Sequence, residues 1–175
     1  YAPVLVEGVA TYGLEMFRTQ PDIDAVFVPI GMGSGLCGTI AAREALGSKA
    51  EIIGVVADTA PCYALSFEAG KPVSTNSADT LADGLACRVP DENALSVMLD
   101  YAERVVRVSE MEIKAAMRHY FTDCHNVAEG AGAAPLAALL KERERWRGKK
   151  VGLVLSGGNV DRALYREILN EREPD

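Results

Sequence analysis

Residues 26–46 read Val-Phe-Val-Pro-Ile-Gly-Met-Gly-Ser-Gly-Leu-Cys-Gly-Thr-Ile-Ala-Ala-Arg-Glu-Ala-Leu. An apolar strand runs through a glycine-rich turn directly into a helix. The first turn of a helix leaves backbone N–H groups unpaired, and the macrodipole makes that end attractive to anions. Glycines at Gly31, Gly33 and Gly35 remove the Cβ atoms that would keep a phosphate away from those groups. The segment therefore predicts a phosphate site at the C-terminal end of a strand.

Working outward, strand-like and helix-like segments alternate. Helices are predicted over 11–20, from the glycine turn to Leu46 with Gly47 as cap, and over 61–69 with Gly70 as cap. Further helices are expected over 93–101, from the capping box Ser109-Glu-Met-Glu112 through Tyr120, over 131–145, and finally to about Asn170. Strands are expected at 25–29, 51–56, 104–108 and 151–155, with a Ser/Thr/Asn/Pro-rich loop over 71–90 containing Asp83-Gly84. The strands are β-branched and barely alternate, which suits a parallel sheet covered on both faces. The fold class is α/β: a doubly wound, mostly parallel sheet with helices on both faces, in a single domain over 1–175.

Composition narrows the partners. The chain has 175 residues, 49% of them apolar, enough for the core of one domain. A net charge of −7 and a pI near 4.9 argue against nucleic acid and anionic membranes as partners. The basic run Lys141-Glu-Arg-Glu-Arg-Trp-Arg-Gly-Lys-Lys150 is interleaved with glutamates and reads as a solvated helix end. Four scattered cysteines without a CxxC pair suit a reduced, cytoplasmic setting. No apolar run approaches the roughly 18 residues of a membrane span, and no signal peptide is evident. His119, Asp123, Cys124 and His125 fit no compact zinc spacing, so no metal site is expected.

Doubly wound sheets gather ligands at strand C-termini near a topological switch point. Two loops suit that place: 31–35 and Ser156-Gly-Gly-Asn159, each following a predicted strand. Either alone could be an ordinary tight turn. The first also contains a formal GxGxxG, Gly33-Ser-Gly35-Leu-Cys-Gly38, with Asp58 20 positions further on where a ribose-binding acid would stand. An NAD-binding oxidoreductase is thus an alternative, but it leaves the 156–159 loop and Glu129-Gly-Ala-Gly132 without a role.

Five segments together carry a family resemblance. Gly31-Met-Gly-Ser-Gly-Leu resembles the phosphate loop of fold-type II pyridoxal phosphate enzymes, the threonine/serine dehydratase and serine racemase family. Ser156-Gly-Gly-Asn159 is similar to that family's late SGGN loop, and Glu129-Gly-Ala-Gly-Ala-Ala to its Glu-Gly-Ala-Gly-Ala-Ala segment. Thr80-Leu-Ala-Asp-Gly84 resembles its Thr-Ile-Ala-Asp-Gly, and Glu7-Gly-Val-Ala-Thr-Tyr-Gly-Leu-Glu15 its Gly-Gln-Gly-Thr-Ile-x-Leu-Glu, with Ala10 at the usual glycine. The likeness covers nearly the whole chain.

The resemblance implies pyridoxal 5′-phosphate as cofactor and a small amino acid as substrate. The backbone of Gly31, Met32, Gly33, Ser34 and Gly35 would cradle the phosphate, and Ser156 would hydrogen-bond the ring nitrogen. Gly84 would lie beside the ring, Glu129 would line the same cavity, and Gly157 and Asn159 would complete and brace the Ser156 loop. Two alternatives stand beside these roles: Asn159 as a helix N-cap, and Glu129 as a surface or capping carboxylate. The implied reaction removes the α-proton and the β-hydroxyl of threonine or serine, giving a 2-oxo acid and ammonia. Amino-acid racemisation, or dehydration of a specialised hydroxy amino acid, is the alternative within the family.

The family's Schiff-base lysine lies in a Ser-Phe-Lys type motif well before the phosphate loop. Here Lys49, Lys71, Lys114, Lys141, Lys149 and Lys150 have no such setting, so no catalytic residue is assigned. The chain is expected to correspond to the C-terminal part of the cofactor domain. The lysine-bearing part and the small substrate domain would lie outside it, the isolated chain would be inactive or a non-catalytic cofactor-binding module, and the intact enzyme would be a homodimer. Relatives with a divalent-cation site carry a glutamate on the strand after the phosphate loop. That position reads Val56, followed by Ala57 and Asp58, which makes a metal there unexpected.

Overall fold

A computed structural model describes residues 2–171. Four strands, β1 (Ala25–Pro29), β2 (Glu51–Ala57), β3 (Arg104–Val108) and β4 (Val151–Leu153), form a wholly parallel sheet in the order β3-β2-β1-β4. Seven helices surround it among the described residues: α1 (Pro3–Thr19), α2 (Ser34–Leu46), α3 (Cys62–Ala69), α4 (Glu92–Tyr101), α5 (Glu110–Cys124), α6 (Gly130–Lys141) and α7 (Arg162–Asn170).

The strands alternate between two cores. Ala25, Phe27, Ile53, Val55 and Val106 pack against α5, α6 and α7. Val26, Val28, Ile52 and Val56 pack against α1 to α4. Both side-chain sets are buried, which is why the strands read as continuous apolar runs rather than alternating ones. The chain order moves outward from β1 to β2 and β3, then returns to the opposite side of β1 as β4. The switch point therefore falls between β1 and β4, and the loops leaving those two strands meet there.

Several boundaries differ from the sequence reading. α1 begins at Pro3 rather than residue 11, with proline in the first turn where its missing N–H costs nothing. α5 runs on to Cys124 and is closed by His125 in the left-handed region. α6 stops at Lys141 rather than 145, and β4 stops at Leu153 rather than 155, although Val154 N still donates to Phe27 O. The basic run is not simply a solvated helix end. Trp146 is 7% exposed, meets Phe27 edge-to-face, and has the Arg104 and Arg145 guanidinium groups over its ring.

Candidate cofactor site

A cavity of about 620 Å3 opens at the switch point, within the range of about 300–1,000 Å3 usual for small-molecule sites. Its walls come from one face of α1, the end of β1 with the 31–35 loop, Gly84 and Leu85, Glu129 with Ala131, and residues 153–156. Of the residues singled out from sequence, Gly31, Met32, Gly33, Ser34, Gly35, Gly84, Glu129 and Ser156 all border it. Gly157 and Asn159 do not border it; each is hydrogen-bonded to Glu129.

The 31–35 loop is built as an anion cradle. Gly33 takes φ +94°, a left-handed conformation that favours glycine, and it serves as N-cap of α2 without a side-chain acceptor. By contrast α4, α5 and α7 are each closed by a side chain, from Asp91, Ser109 and Asp161. The N–H groups of Gly33, Ser34, Gly35 and Leu36 find no acceptor among the described residues. Four orphan donors at a helix start that borders a cavity call for an anionic ligand. No lysine or arginine among the described residues lines the cavity.

The second loop is organised around Glu129. Its N–H donates to Gly157 O, and its carboxylate accepts from Asn159 N at 3.2 Å. Glu129 sits at the N-cap position of α6 but its side chain caps nothing, so the capping alternative is corrected: the carboxylate ties down the 156–159 loop instead. Asn159 is likewise not the N-cap of α7. Asp161 is, accepting from Ala163 N and Leu164 N.

Two tyrosines that the sequence reading passed over support the cradle. Tyr12 lines the cavity with Val9 and Met16 along one face of α1, a spacing of three and four residues visible once the helix is carried back to Pro3. Tyr63 lies buried beneath the loop. Burial raises the hydroxyl pKa of both, at Tyr12 partly offset by its hydrogen bond with Thr39, so both remain protonated donors across the physiological range.

Other candidates fall away from the cavity. Asp58 is exposed, on the β2–β3 side of the sheet, where its N–H donates to Val108 O. It does not border the cavity, which removes the ribose partner that the GxGxxG reading required. His119 pairs with Asp123 at 2.9 Å, and His125 turns back to Phe121 O. No group of three His, Cys, Asp or Glu among the described residues could hold a metal ion. No helix among them is long and apolar enough to cross a membrane.

Comparison with known proteins gives the family and the fold. The family model described as "Pyridoxal-phosphate dependent enzyme" matches residues 1–157. The chain belongs to that family. It is 34% identical to the L-threonine ammonia-lyase of Thermotoga maritima over 169 residues, which is 97% of this chain and 42% of that protein. The processed form of threonine deaminase isoform 2 from Solanum lycopersicum superposes with a TM-score of 0.88 at 28% identity, covering 93% of this chain and 46% of that one. Maize serine racemase gives 0.85 at 29% identity, covering 93% and 50%. The chain spans about half the length of the curated relatives it matches.

Proposed function

We propose that this chain forms the cofactor-holding part of a pyridoxal phosphate-dependent ammonia-lyase acting on a β-hydroxy amino acid of the threonine or serine type. The observation that carries this reading is the meeting of two loops at the switch point: Gly33, Ser34 and Gly35, with their orphan N–H donors, and Ser156 border one cavity. The names of the relatives, L-threonine ammonia-lyase and threonine deaminase, support the reaction type.

In this reading the backbone of Gly31, Met32, Gly33, Ser34 and Gly35 holds the phosphate, with the α2 dipole adding to the attraction. Ser156 meets the ring nitrogen with a neutral hydroxyl, which does not enforce protonation there. Gly84 borders the ring through its backbone, and Glu129 keeps the Ser156 loop in place through Gly157 and Asn159. When bound, pyridoxal phosphate supplies the electron sink for loss of the α-proton. None of the six lysines borders the cavity, so the proton-accepting lysine comes from polypeptide outside this chain. We place the intact enzyme in the cytoplasm as a homodimer, a state that light scattering would test.

Titration with pyridoxal 5′-phosphate tests the reading. The cofactor should bind non-covalently, NAD should not displace it, and the chain alone should form no 2-oxobutyrate from L-threonine. Competitive NAD binding would overturn the cofactor assignment. Turnover by the isolated chain would overturn the external lysine. Once the lysine-bearing polypeptide is supplied, 2-oxobutyrate should appear. Likeness to serine racemase supports racemisation as a second reading, which chiral analysis of recovered L-serine distinguishes.

A further inference from the structure

Two tyrosine hydroxyls, one buried and one partly buried, grip the carbonyl side of the 31–35 loop from different helices. Tyr63 on α3 is 1% exposed. Its hydroxyl donates to Met32 O at 3.0 Å and accepts from Asp91 N at 3.0 Å, which joins the loop to the cap of α4. The same oxygen would lie 3.3 Å from a Cβ on Gly33, so it stands immediately beneath the left-handed residue. On the other side, Tyr12 of α1 donates to Gly35 O at 2.9 Å and lies 3.0 Å from Thr39 Oγ1, which also donates to Gly35 O.

Peptide planarity converts this grip into a statement about donors. In a trans peptide the C=O and the following N–H point in opposite directions. Drawing the Met32 carbonyl toward Tyr63 turns Gly33 N–H away from it. Drawing the Gly35 carbonyl toward Tyr12 and Thr39 does the same for Leu36 N–H. These are two of the four N–H groups left without a protein acceptor. A loop with three glycines in five residues has many alternative conformations, and free donors arranged for an anion are not its lowest-energy state in isolation.

We propose that Tyr12 and Tyr63 are positioning residues of the phosphate loop, acting through its carbonyls to preorganise its N–H groups for a phosphate. This rests on the phosphate assignment made above and adds to it the source of the loop's affinity. Tyr63 is buried, so solvent does not replace its hydroxyl, while Tyr12 is partly buried at the cavity wall. Removing the Tyr63 hydroxyl takes away the donor that Met32 O has, whereas removing that of Tyr12 leaves Gly35 O with Thr39 alone on that side.

The test compares wild-type chain with Tyr12→Phe, Tyr63→Phe and the double variant. Tyr120→Phe, which removes a buried hydroxyl from the core on the other face of the sheet, is the control. Binding is measured for pyridoxal 5′-phosphate and for pyridoxal, which lacks the phosphate, and hydrogen exchange is followed in the peptide covering 31–36. Wild type should prefer the phosphorylated ligand. Each Tyr→Phe change at 12 or 63 should cut that preference by roughly tenfold, the scale of one lost buried hydrogen bond, leave pyridoxal affinity unchanged, and speed exchange over 31–36. Tyr120→Phe should do none of these. Unchanged preference and exchange in both variants would overturn the proposal while leaving the phosphate site standing. Equal losses for both ligands would also overturn it, marking the tyrosines as general packing. If wild type itself shows no preference, the phosphate assignment fails and the proposal falls with it.

Discussion

The carbonyl oxygen of Gly84 stands 2.3 Å from the point where a Cβ on Gly31 would be placed. No side chain fits in that gap, and the obstacle is backbone rather than a flexible group. The 31–35 loop and the short 3-10 turn at Asp83–Leu85 therefore close on each other only because residue 31 is glycine. We expect Gly31→Ala to push the two segments apart, costing about 1–3 kcal/mol of stability as an overpacked site. Pyridoxal phosphate affinity should fall with it. Denaturant melts and a ligand titration on the same preparation check both parts.

Glu129 and Gly157 form a comparable pair, with a Cβ on Gly157 falling 2.8 Å from Glu129 Oε1. Glu129→Ala should loosen the 156–159 loop by removing the acceptor for Asn159 N. That N–H is exposed, so the loss is near the low end for a hydrogen bond, about 1 kcal/mol. For a chain of this size it amounts to a melting shift of about 2–4 °C. Glu129→Gln keeps an acceptor oxygen and should recover most of the shift.

The four thiols differ in exposure. Cys37, Cys62 and Cys87 are buried and Cys124 is exposed. Burial, with Cys87 alongside, pushes the Cys62 thiol up to about 12, far from the thiolate form that reacts. At pH 8 a thiol reagent should label one equivalent rapidly, at Cys124, and four only after denaturation. Cys124→Ser should abolish the fast phase.

Acid sensitivity has a local source at the N-terminal ends of β1 and β4. The Lys150 ammonium hydrogen-bonds the Asp22 carboxylate, and Lys150 N–H donates to Asp24; both carboxyls are held below their usual value. A depressed folded-state pKa contributes stability above the unfolded value, and that contribution disappears as pH falls through the folded-state value. Both groups are exposed, so the effect is small and screened by salt. Asp24→Asn should flatten the fall in melting temperature below about pH 4, the region of an unperturbed aspartate, with the wild-type slope restored neither by salt nor by ligand.

The parts of this fold legible from sequence are those governed by local chemistry. The β-branched runs marked β1, β2 and β3 within a residue or so at each end. Ser109 and Glu112 announced the start of α5, and Gly47 and Gly70 the ends of α2 and α3. Errors arose where a local signal had a non-local competitor. Asn159 looks like a helix cap, yet its backbone is engaged by a glutamate 30 residues earlier, and Asp161 takes the cap. Trp146 sits among charges that suggest solvent, but Phe27 draws it into the core. The Asp58 spacing matches a ribose partner, whereas strand order sends β2 to the side of β1 opposite the cavity.

By itself the sequence determined that this is a parallel α/β chain with two glycine loops after buried strands. Hydrophobic patterning and turn chemistry act over a few residues and are written in order. Only the tertiary structure decided that the loops share one cavity, because that depends on β4 returning to the far side of β1. It also decided that Tyr12 and Tyr63 hold the 31–35 loop, since their hydroxyls reach it from helices 23 and 31 residues away along the chain. Contacts across such separations follow from how the layers pack, and no short stretch of sequence records them.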